Sequence, residues 1–275
     1  MIRGATRAGG GEVETGRASP RRRRMLRLVP PIVILGAWAL AAAVDLASDR
    51  LLPGPVEVAS SSWELLNRGY FYENLWVTLR VVGISMAISV AGGIVLASGI
   101  GTIPVLRDGV YPFVVALNSI PKVALVPLLT ITLGSNERSR VIIVVLVAFF
   151  PVFLNTLTAI RGASTDRGRL MRSLGASRLQ RLRMHLLPEG APTILAGIKL
   201  SLTIAFIATI LAEFLIRRDG LGYLITSFQV SLNTPMMFAT TASVAGLGML
   251  FFMAIERVER RLVFWDRSPD VDGGA

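Results

Sequence analysis

Apolar and polar positions along this chain are grouped in long blocks, with little of the two-residue alternation of a half-buried strand. Residues 81–100, 141–160 and 235–255 are charge-free apolar runs. Each is about 20 residues, the length a helix needs to cross a hydrocarbon layer roughly 30 Å thick. Three further runs come close. Residues 30–44 reach the minimum only when extended to Leu46, past Asp45. Residues 110–133 contain Lys122 and three prolines, and residues 191–216 contain Lys199 and Glu213. The pattern predicts an all-α membrane protein with six transmembrane helices.

Between the fourth and fifth runs the block pattern changes. From Thr165 to Leu187 the apolar positions are Leu170, Met171 and Leu174, then Leu179, Leu182 and Leu186, with arginines on the other faces. Within each half this is the i, i+3, i+4, i+7 spacing of a short amphipathic helix. Gly175 separates the halves and suits a helix C-terminus. Ser177 is placed to cap the second half, and Pro188 to stop it. The expectation is an elbow of two short helices, lying on lipid head groups or docked in a partner's groove.

Small residues suggest how the spans meet. Gly83, Ala87, Ala91 and Gly99 share one face of the second span, Ser201, Ala205 and Thr209 one of the fifth, and Ala242 and Gly246 one of the sixth. Such faces let helix backbones approach closely in lipid.

Composition agrees with a lipid-facing chain. Of 275 residues, 52% are apolar and 17% charged, against about 25% charged in soluble domains. The net charge of +11 resides in segments between apolar runs, not on a soluble basic face, which argues against a nucleic-acid partner. The chain has no cysteine and one histidine, which excludes disulfides, thiol chemistry, and cysteine- or histidine-rich metal sites.

Charge also orients the spans. With the N-terminus inside, segments 1–29, 102–109, 161–190 and 257–275 hold 8, 1, 7 and 4 arginines. The opposite loops hold six, Arg50, Arg68, Arg138, Arg140, Arg217 and Arg218. Positive residues favour the cytoplasmic side, so both termini are expected there. The stretch PRRRRMLRLVPPIVILGAWALAAAV imitates an export signal. An uncleaved first helix is expected instead, since cleavage would put the termini on opposite sides. Residues 1–24, rich in Gly and Arg with almost no apolar content, read as a disordered tail.

Charges inside spans point to chemistry. A lysine at mid-bilayer costs about 2.5–3.5 kcal/mol. Lys122 lies between Pro121 and Pro127, whose freed carbonyls are tolerated only against protein or a wet cavity. Asn118, Ser119, Pro121, Lys122 and Glu213 are therefore candidate residues of a translocation path. Lys199 is the weaker candidate because it can reach an interface.

The stretch SLGASRLQRLRMHLLPEGAPTILAGIKLSLTIAFIATILAEFL resembles the cytoplasmic-loop signature of binding-protein-dependent ABC importer permeases. LPGPVEV, SIPKVALVPL, AEFL and GLGYLI match the nitrate/sulfonate/taurine branch in order, over roughly residues 50–260. One departure stands out: the family often has an acidic residue and alanines before its glycine, where this chain reads RGRLMRSLGA.

The resemblance implies a type I importer transmembrane domain whose loop 161–190 couples to a separate ATPase. Leu174, Gly175, Ala176, Ser177, Leu179, Leu182, Leu187 and Pro188 would form the coupling element. The chain has no G-x-x-x-x-G-K-[ST] loop for phosphates, so ATP and Mg would be used by the ATPase partner and no cofactor bound here. The implied partners are two ABC ATPase subunits, a second permease subunit as a homodimer, an extracytoplasmic solute-binding protein and the lipid bilayer. The implied organisation is a cytoplasmic tail (1–29), a permease domain (30–265) and a C-terminal tail (266–275). The expected cargo is a small anion such as nitrate, sulfonate or taurine. The alternatives are a vitamin precursor within the same family, or an ion-coupled secondary transporter.

Overall fold

A computed structural model of the chain describes residues 20–44, 52–216 and 218–262, and every regular element among them is helical. The expected tail over 1–19 and the C-terminal tail 266–275 lie outside the described residues. Two compact units are present, residues 1–55 and 56–275.

In the first unit, α1 runs from Pro20 to Ala43. It begins inside the stretch expected as tail, because a proline at the first helical position is already set to helical φ and the Arg, Met and Leu residues that follow are good helix formers. Its Trp38 indole donates to the Pro53 carbonyl at 3.1 Å.

The second unit is a bundle. A short helix, α2 (Pro55–Leu66), leads into the long α3 (Gly69–Gly101); α4 (Pro104–Asn118) and α5 (Val126–Leu133) follow, with a 3₁₀ turn Lys122–Leu125 between them. Then come α6 (Glu137–Gly162), α7 (Thr165–Ser173), α8 (Arg178–Arg181), α9 (Leu187–Ile216), α10 (Leu221–Val230) and α11 (Thr234–Leu262). Four helical stretches are long and apolar enough to span a membrane by themselves: Gly69–Gly101, Glu137–Gly162, Arg178–Ile216 and Thr234–Arg261. The third expected span is divided between α4 and α5, because Pro121 withholds a backbone N–H and restrains the residue before it.

The α6 helix forms the centre of the bundle, packed by α3 on one side and α9 on the other. Glycines set both approaches. A Cβ on Gly93 would lie 2.9 Å from Val152 Cγ1, and one on Gly101 2.9 Å from Ile160 Cδ1. On α9, a Cβ on Gly190 would lie 2.7 Å from Ala159 Cβ, and one on Gly197 2.5 Å from Asn155 Cβ. Ser201 closes the seam by donating to the Ala148 carbonyl at 2.6 Å.

The small-residue faces divide accordingly. Ser201, Ala205 and Thr209 are buried in α9 as expected. On α3 the expected face is not the packed one: Gly83, Ala87, Ala91 and Gly99 are exposed, while Ser85, Ser89, Gly93, Ala97 and Gly101 are buried. Ala242 and Gly246 of α11 are exposed as well. Small residues permit close approach, but the bulky partners Val152, Phe153 and Leu157 on α6 decide which small face is used.

Candidate functional site

The elbow is built by local bonding. Ser164 caps α7, accepting from Arg167 N–H. At the other end Gly175 has φ +77, its N–H donates to the Arg172 carbonyl, and Ala176 N–H donates to Met171 O at 2.9 Å. This paired bonding through a left-handed residue is the Schellman ending. Ser177 then opens α8 with a capping box. Its hydroxyl accepts from Gln180 N–H at 3.2 Å, and Gln180 Oε1 accepts from Ser177 N–H at 2.7 Å. The two caps turn the chain within four residues.

Pro188 does not stop the second half. The helix continues from α8 through a π turn, Leu182–Leu186, into α9. A proline ring clashes with the carbonyl four residues back. The wider i→i+5 bonding of the π turn, in which Leu187 N–H reaches Leu182 O, absorbs that demand.

Of the expected coupling residues, Leu174 and Leu179 are largely exposed, joined by Leu170 and Met184, while Ala176, Leu182 and Leu187 are half-buried and Pro188 is exposed. Behind them lies a clamp that the apolar periodicity does not announce. His185, 6% exposed, sets Nε2 3.1 Å from the Ser164 carbonyl and Nδ1 3.0 Å from Glu189 Oε2. Glu189 Oε1 accepts from Ser164 N–H at 3.0 Å, and Arg167 Nη1 lies 3.3 Å from Oε2. The start of α7 is thereby tied to the start of α9. The chain's single histidine, four residues before a glutamate, was the signal available.

Lys122 stands at the break between α4 and α5. Its ammonium donates to the Asn118 carbonyl at 2.8 Å and to Asn118 Oδ1 at 3.2 Å, and lies 4.4 Å from the Phe150 ring centroid. The α-helix ends at Asn118, so that carbonyl lacks an intrahelical donor, and the lysine supplies one. A cavity of about 350 Å³ is lined by Asn118, Ile120, Lys122, Pro151, Asn155 and Leu200, among others. Ser119 and Pro121 are exposed beside it.

Glu213 belongs to a different place. It is wholly buried near the end of α9, at the opposite end of the bundle from the elbow. Its Oε1 accepts from Thr78 Oγ1 at 2.8 Å and its Oε2 from Gly222 N–H at 2.8 Å. Thr78 Oγ1 in turn accepts from Leu221 N–H at 2.9 Å, and Asn74 Oδ1 from Gly220 N–H at 2.7 Å. Gly220 has φ +102, and a Cβ there would stand 2.2 Å from Glu213 Cδ. Arg140, 2% exposed, pairs with Asp219 alongside. The carboxylate therefore fastens the α9–α10 turn to α3. The AEFL and GLGYLI motifs are the two halves of this latch.

The family described as "Binding-protein-dependent transport system inner membrane component" matches residues 82–264. The formylaminopyrimidine transport permease of Halalkalibacterium halodurans is 28% identical, covering 86% of this chain and 94% of the relative. The taurine transport system permease of Escherichia coli is 28% identical, covering 85% and 86%. The riboflavin transport system permease of Chloroflexus aurantiacus is 28% identical, covering 92% and 97%.

Proposed function

Because the chain belongs to the family of binding-protein-dependent transport system inner membrane components, we propose that it is the permease subunit of an ABC importer for a small anion. The elbow carries this reading. Two back-to-back caps present Leu170, Leu174, Leu179 and Met184 to solvent on a rigid corner tied to α9. A few apolar anchors on a rigid element are what a receiving groove binds. A separate ATPase closing on the elbow would move α9, and α6 with it through the Gly197 seam.

In this reading the elbow faces the cytoplasm, in keeping with its arginines. Two copies of the chain pair with two ATPases that use ATP and Mg, and an extracytoplasmic binding protein delivers the solute. Lys122 supports the anion assignment, as the positive charge in a cavity walled by α4, α6 and α9. Glu213 acts outside the path, holding the turn beyond α9. An ion-coupled transporter would need a carboxylate free to exchange a proton or ion, and Glu213 already accepts two hydrogen bonds. The riboflavin and formylaminopyrimidine relatives keep a vitamin precursor as the second reading.

The test is reconstitution in proteoliposomes with the candidate ATPase and binding protein. ATP-dependent uptake of taurine or an alkanesulfonate is expected. Uptake driven by an ion gradient without the ATPase would sink the importer reading. ATP-dependent uptake of riboflavin but no anion would replace the substrate class.

A further inference from the structure

At the elbow end of the bundle a second cavity, of about 300 Å³, opens between the α3–α4 turn, the end of α6, the start of α7 and the capped turn of α8. Arg107, Arg172, Arg178 and Arg181 line it, and no carboxylate does. Arg107 is held by its neighbour Asp108 at 3.0 Å. Arg172, Arg178 and Arg181 form no ion pair among the described residues, whereas Arg167 and Arg169 of α7, which do not line the cavity, each pair with a carboxylate. Arg181 Nε is buried with no hydrogen-bond partner.

Gathering unpaired guanidiniums round one cavity is unfavourable by mutual repulsion, and a buried donor without an acceptor adds to that cost. An anion in the cavity relieves both. The nine-residue α7 starts in the same wall, at Thr165, with Asp166 of its first turn paired to Arg169. Guanidinium forks match the paired oxygens of phosphate. Thr102, Ser164, Thr165 and His185 also line the cavity, and Gly101, Ile160 and Leu186 give it an apolar side. It lies where α3 and α6, both long enough to span, come to their ends. A charged pocket with a greasy side at the rim of the hydrocarbon has the form of a head-group site.

We propose that this cleft binds a phosphate-class anion, supplied by the membrane as the head group of an anionic phospholipid whose acyl chains run past Ile160 and Leu186. The assignment holds whether or not the chain carries the solute proposed above.

The experiment uses the intact chain in neutral detergent, followed by thermal unfolding. Dioleoylphosphatidylglycerol, dioleoylphosphatidylcholine and inorganic phosphate are titrated in turn. Phosphatidylglycerol should raise Tm saturably and phosphatidylcholine should not. Each basic residue contributes about fivefold in affinity for an anionic lipid surface. The triple variant Arg172→Gln, Arg178→Gln, Arg181→Gln should therefore weaken half-saturation on the order of 100-fold, and Arg181→Gln alone about fivefold if the triple variant does not fold. The pair Arg169→Gln, Arg183→Gln, outside the cleft, should leave it within about twofold. Equal weakening by both sets would overturn the site, as would the absence of a saturable shift. Saturation by inorganic phosphate with no preference for phosphatidylglycerol would overturn the head-group assignment.

Discussion

Gly220→Ala places one methyl group against the carboxylate that closes the α9–α10 turn. Two costs follow from the geometry. The backbone at φ +102, ψ 169 is a conformation adopted almost only by glycine, worth about 1–3 kcal/mol for another residue. The new Cβ, 2.2 Å from Glu213 Cδ, forces the carboxylate away from Thr78 or Gly222. Each such bond to a charged group contributes about 1.5–3 kcal/mol. The expected loss is about 3–6 kcal/mol, a fall in Tm on the order of 10 °C for a chain of this size. With Glu213→Ala in place there is no carboxylate to strike, and Gly220→Ala should then cost only the backbone term, about 1–3 kcal/mol. Unfolding of the four proteins in detergent, by heat or denaturant titration, measures the coupling as a double-mutant cycle. Additivity within about 0.5 kcal/mol would refute the latch.

Lys122→Met should reduce uptake of an anionic solute at least tenfold, since the charge is what the cavity offers, while copurification with the ATPase is unchanged; equal uptake by wild type and variant in proteoliposomes would return Lys122 to a structural role, capping the Asn118 carbonyl. Gly197→Ala should destabilise by about 1–3 kcal/mol through overpacking against Asn155, whereas Gly83→Ala, with open space around it, should stay within about 0.5 kcal/mol; a reversal of that order in thermal unfolding would contradict the helix faces described. Ser177→Ala should lose about 1 kcal/mol of local stability, seen as faster amide exchange confined to residues 177–181, and unchanged exchange would mean the cap contributes nothing.

Features that depend on near neighbours along the chain are legible in its residues. Long charge-free runs must become spanning helices, because an unbonded backbone is too costly in lipid. The elbow's caps were legible because Gly175 and Ser177 act on amides within four residues of themselves. Other features arise only when the helices pack. Pro188 reads as a stop, yet a π turn carries the helix through it. Two small-residue faces of α3 are equivalent in sequence, and only the side chains of α6 choose between them. Glu213 reads as a lone intramembrane charge, and its partners Thr78 and Gly222 come from other elements, 135 and 9 residues away. His185 and Glu189 were visible as a pair, but the Ser164 carbonyl that makes them a clamp comes from the preceding turn. Local hydrogen bonding can be read from a one-dimensional pattern. Which faces and which distant polar groups meet depends on how the helices pack.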